Sequence, residues 1–177
     1  MIGTDLAHAA ALGLRRSLPA LTVLLALLLD LLPAPRTGPQ PVAPSLLLSV
    51  AYYWLALRPE LLPTGVLFLL GLVADAAGGQ PLGLTPLALL AGHVAVAACR
   101  RLLYLRAFGG LWIGFAAMLA TSELVAWLVA SLWQARLLSL QPAFAEATLS
   151  LAAFPAVAWL LSLLLTLLPA PVHAPGR

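Results

Sequence analysis

Apolar residues in this chain come in long runs rather than in alternation with polar ones. Six runs, at about 17–32, 45–57, 61–77, 82–99, 108–133 and 149–168, are separated by short stretches that hold much of the proline and charge. Runs of this length are helical rather than strand-like, because strands rarely exceed about 8 residues. The pattern predicts an all-α polytopic membrane protein, a six-transmembrane-helix bundle, with residues 1–177 forming a single integral membrane domain. Several runs fall short of the roughly 20 residues that a full crossing needs. The second is the shortest, and a re-entrant second run would invert everything after it. The fifth is long enough to project beyond the hydrocarbon.

Proline and aromatic residues mark the ends of the runs. Pro19 stands at a helix start, where its missing N–H costs little. The stretch 33–44, PAPRTGPQPVAP, holds five prolines and reads as an extended loop. Tyr52, Tyr53 and Trp54 near the end of the second run read as an aromatic anchor at the membrane interface. Arg58-Pro59-Glu60 sits in so short a connection that the second and third spans form a tight hairpin. Pro59 is expected to open the third helix, with Glu60 in its first turn, favourable to the helix dipole.

Composition narrows the class further. The chain is 63% hydrophobic and 8% charged, against about 25% charged in a soluble domain. All nine basic residues are arginines, set in short loops where they act as topology signals rather than as a nucleic-acid footprint. With the N-terminus inside, Arg15, Arg16, Arg58, Arg100, Arg101, Arg106 and Arg177 lie on the inner side, and Arg36 and Arg136 on the outer. Seven against two predicts that both termini are cytoplasmic. The first run follows Arg15-Arg16 as in a signal peptide but ends in Asp30 and Pro33 without a small-residue cleavage site, so it is expected to be a retained span. The single Cys99 excludes an internal disulfide.

No catalytic constellation stands out. His8 and His173 lie in the tails, His93 is alone in the fourth run, and no metal-ligand or nucleophile motif is present. The expectation is a protein without enzymatic activity and without a cofactor. Three acids lie within apolar runs: Asp30, Asp75 and Glu123. Counted from the inner helix starts, each lies roughly 20–24 Å up a core of about 30 Å, so they share one depth in the outer half of the membrane. A carboxylate there is costly to insert. Either these acids face a polar cavity opening outward, or they are neutral, or a partner satisfies them. Asp30 also suits a plain helix end at the interface, Asp75 lies between Gly71 and Gly78, and Glu123 in Thr121-Ser122-Glu123 also suits a hydrogen bond to a neighbouring helix. Small residues at Gly110 and Gly114, with Ala117, form a close-packing face on the fifth helix, suited to packing within the chain or against a partner span.

The stretch from Tyr53 to Gly83 carries a resemblance. Its aromatic-W-x-x-x-x-P-E segment (Tyr53, Trp54, Pro59, Glu60), its F-x-x-G-L-x-x-D segment (Phe68, Gly71, Leu72, Asp75) and its P-L-G turn (Pro81, Leu82, Gly83) resemble the rod shape-determining protein MreD family. The resemblance implies a non-enzymatic inner-membrane component of the bacterial cell-elongation machinery. It would act as a scaffold for the bitopic MreC and for peptidoglycan synthesis proteins, with MreB, RodA and a class-B penicillin-binding protein as further partners. It also marks Trp54, Pro59, Glu60, Gly71, Asp75 and Gly83, beside Gly110, Gly114 and Glu123, as candidate partner or cavity residues. The alternative is a small-molecule-binding membrane subunit similar to the substrate-binding components of energy-coupling-factor transporters. That reading calls for convergent polar and aromatic groups around an outer cavity.

Overall fold

The computed structural model of the protein describes residues 17–32, 43–103 and 108–167. Among them are six α-helices and no strand: α1 (Ser17–Asp30), α2 (Leu46–Leu57), α3 (Thr64–Gly78), α4 (Leu84–Leu103), α5 (Phe108–Trp133) and α6 (Gln141–Leu167). Helices α5 and α6 each contain a stretch long and apolar enough to cross a membrane, Gly109–Trp133 and Gln141–Leu164, while α1 to α4 supply shorter apolar helical stretches. The Pro-rich stretch up to residue 42, the histidines of both tails, and Arg15, Arg16, Arg36, Arg106 and Arg177 lie outside the described residues.

Helix α2 is the centre of the bundle. It has 12 residues, about 18 Å of helix, and packs against α4, α5 and α6. Tyr52 is fully buried, with its ring 5.4 Å from Phe115 of α5 and 5.5 Å from Phe154 of α6, which stack on each other at 4.3 Å. Its hydroxyl donates to the Leu111 carbonyl at 2.7 Å. Trp54 donates from Nε1 to Thr22 of α1 at 2.8 Å. The interfacial anchor expected at Tyr52, Tyr53 and Trp54 is therefore corrected, since all three rings are core. The physical reason is that α2 is apolar all round, and a short helix of that kind is buried inside protein rather than laid against lipid.

Two boundaries also differ from the sequence expectation. Pro59 and Glu60 do not open the third helix. They form a separate 3-10 turn, Pro59–Leu61, and α3 starts at Thr64. Pro63 explains the break, since a proline forces the residue before it out of the helical region, and Leu62 sits at φ −127°, ψ 74°. Helix α6 begins at Gln141, well ahead of the 149–168 run, with Pro142 in its first turn where a missing N–H is tolerated. That extension brings Glu146 into the helix.

Packing is closest between α4 and α5 and between α3 and α4. At the first contact a Cβ on Gly92 would lie 2.5 Å from the Ser122 hydroxyl and 2.8 Å from Met118. At the second, a Cβ on Gly71 would lie 2.7 Å from the Pro86 backbone. Small residues thus set the separation of three helices, as is usual where no hydrophobic force drives helices together in lipid. Ser122 adds a hydrogen bond to the Ala88 carbonyl at 3.0 Å. Gly114 is buried within the chain and Gly110 half-buried, so part of the expected small-residue face is occupied internally.

Candidate functional site

The last turn of α3 and the first turn of α4 are held together by one side chain. Asp75 is fully buried. Its Oδ2 accepts from the Gly83 N–H at 2.7 Å and its Oδ1 from the Thr85 N–H at 3.0 Å. These are among the N–H groups that a helix start leaves without partners, and a carboxylate there also meets the positive end of the helix dipole. The turn needs its glycines: Gly79 closes α3 at φ +68° and Gly83 stands at φ +102°, where side chains are strained. The matched residues Gly71, Asp75 and Gly83 therefore belong to one structural device, a helix cap supplied by the preceding helix.

The same device occurs a second time. Asp30 at the end of α1 accepts from Leu46 N–H at 3.0 Å on Oδ1 and from Leu47 N–H at 2.8 Å on Oδ2, capping α2. Ser45 completes that start, with its hydroxyl accepting from Leu48 N–H and its own N–H donating to Ser150 of α6 at 2.8 Å.

Beside the second cap lies an open cavity of about 740 Å³, at the bundle end that carries the α5–α6 turn. Asp30, Glu123 and Glu146 line it together with Arg136, Gln80 and Trp127. The expectation of three acids in one setting divides here: Asp30 and Glu123 share the cavity, whereas Asp75 is sealed in the α3–α4 turn. Glu146 takes the third place, and the sequence reading missed it. The signal was its spacing of five residues from Gln141-Pro142, a helix start that the hydropathy pattern hid. Trp127 donates from Nε1 to the Leu138 carbonyl at 3.0 Å, fixing the wall nearest the turn. Arg136 donates to Gln134 at 3.0 Å from its Nη2.

The remaining candidates lie elsewhere. Pro59 and Glu60 stand in the turn at the opposite end of the bundle, with Glu60 exposed. Trp54, Gly71 and Gly83 support the fold from within or from its turns. Among the described residues no group of three or more His, Cys, Asp or Glu is placed to hold a metal ion.

Among the described residues the regular structure is helical, and two of the helices are long and apolar enough to cross a membrane. The sequence matches the family model described as rod shape-determining protein MreD over residues 13–169. That is nearly the whole chain, and the protein belongs to the MreD family. It is thus a rod shape-determining membrane protein by family. No curated protein and no solved structure matches the chain.

Proposed function

We propose that this protein is a non-enzymatic scaffold of the cell-elongation machinery, a six-span bundle in the bacterial inner membrane with both termini cytoplasmic. In this reading it binds MreC and, directly or through it, MreB, RodA and a class-B penicillin-binding protein. Family membership across residues 13–169 is the observation that carries it. The division of the candidate residues supports it. Trp54, Gly71, Asp75 and Gly83 hold the bundle in shape, and Pro59 and Glu60 offer a turn in which Glu60 is exposed, on the side to which the charge pattern assigns most of the arginines. Gly110 lies on the half-buried end of the small-residue face of α5, beside the buried Gly114.

Depletion in a rod-shaped host is expected to give rounded, widening cells, and an MreC-like protein is expected to co-purify in mild detergent. Cysteine labelling of intact cells should reach positions near Gly79 and Gln141 but not Arg58; labelling at Arg58 from outside would overturn the topology. One observation favours a second reading, a small-molecule-binding subunit: the acid-lined cavity has the size of a ligand site. Unchanged cell shape on depletion, with tight binding of a vitamin-like molecule, would put that reading first.

A further inference from the structure

The polar cavity does not end at Glu123. Glu123 and Ala143 also line a second space, an apolar groove of about 440 Å³ between α5 and α6. It is lined by small residues, Ala116, Ala120 and Ala147, and by the larger Leu124 and Phe144, both of which are exposed. Two spaces of opposite polarity thus meet at one carboxylate, one opening at the end of the bundle and the other along its flank. A small soluble ligand has no use for an apolar branch on the flank. A bare acyl chain has no use for a chamber lined by charge. A molecule with both parts matches both spaces.

We propose that the joined spaces hold a membrane phospholipid with a primary ammonium headgroup, its acyl chain in the α5–α6 groove and its headgroup in the cavity. The charges select the headgroup. Both oxygens of Asp30 already accept from α2, which leaves Glu123 and Glu146 as acceptors for an ammonium and Arg136 as the donor for a phosphate. A headgroup with net negative charge would meet carboxylate on most sides, and like charges held close together repel. A quaternary ammonium would keep the charge but lose the N–H donors that the glutamates accept from.

The test uses the full-length protein in detergent micelles, titrated with short-chain phosphatidylethanolamine, phosphatidylcholine and phosphatidylglycerol and, separately, with phosphoethanolamine. Lipid retention in native mass spectrometry and the shift in melting temperature are the readouts. Phosphatidylethanolamine is expected to bind about tenfold more tightly than phosphatidylglycerol, the ratio that one lost charge-assisted contact gives, with phosphatidylcholine between them. Phosphoethanolamine, which lacks the chain, is expected to bind at least about tenfold more weakly than the lipid. Glu123→Gln combined with Glu146→Gln should abolish the preference for the ethanolamine lipid while some lipid binding remains. Ala120→Leu, at an exposed groove position, should weaken all three lipids without lowering the melting temperature of the lipid-free protein. Equal affinity for the ethanolamine and glycerol lipids would overturn the proposal. So would headgroup binding as tight as lipid binding, or full lipid binding by Ala120→Leu.

Discussion

Asp75 and Asp30 perform the same local task in opposite surroundings. Each lies in the last turn of one helix and accepts two backbone N–H groups from the start of the next. Asp75 does so in a sealed turn, backed by the Gly71–Pro86 contact and by Gly83 in a left-handed conformation. Asp30 does so on the wall of an open cavity. The hydrogen bonds are equivalent, but their settings are not: the Asp75 side chain is fully buried, whereas Asp30 stands on the wall of the cavity. A carboxylate in an apolar run thus has no fixed worth. Its worth depends on what would satisfy its donors if it were gone.

The comparison predicts an order of effects. The largest belongs to the Asp75 side: Gly71→Leu has to displace Pro86 backbone, and overpacking of that kind costs about 1–3 kcal/mol or more. Little folded protein should survive extraction, whereas Gly65→Ala, with nothing within 4 Å, should behave as wild type. Asp75→Ala comes next. It leaves two part-buried donors without their acceptor, at about 1–3 kcal/mol in all, which should appear as low abundance and a lower melting temperature in detergent, and Asp75→Asn should restore part of the loss by keeping one acceptor. Asp30→Ala should cost less, about 0.5–2 kcal/mol as for an ordinary helix cap. If Asp30→Ala proves the more damaging of the two, the contrast drawn from the cavity is wrong. Trp54→Phe removes one interhelical hydrogen bond and should cost about 0.6 kcal/mol, a small shift in melting temperature. Glu60→Gln, in an exposed turn, should leave stability unchanged, and its only expected readout is weaker co-purification of an MreC-like protein.

Much of this was legible in the chain itself, but unevenly. The boundaries of α2 and α5 follow from runs whose ends are marked by charge, proline or serine, and the family follows from the motifs between Tyr53 and Gly83. The role of Asp75 was not legible, because a cap reads as such only when the helix it caps folds back against it. Its place beside a glycine turn gave the location without the partner. Glu146 was hidden because Gln141, Pro142 and Thr148 delay the apolar run, while the backbone needs only a helix start there. The aromatic trio was misplaced for a related reason. Tyr-Tyr-Trp at a helix end matches an interface belt in composition, and only the presence of Phe115 and Phe154 around Tyr52 shows it to be interior.

The central position of α2 has a consequence for how the protein is made. Its Tyr52 ring is enclosed by residues of α5 and α6, and its first N–H groups and Ser45 find their partners on α1 and α6, the latter 105 positions further along the chain. A chain emerging from the ribosome therefore produces its innermost helix long before the walls that surround it. Until α5 arrives, α2 has to wait in lipid or in the insertion machinery without the Leu111 carbonyl that accepts from its tyrosine, and until α6 arrives without the Ser150 hydroxyl that accepts from Ser45. The bundle closes late, around a part synthesised early, and a chain stopped before Ser150 would expose its core rather than lose an edge.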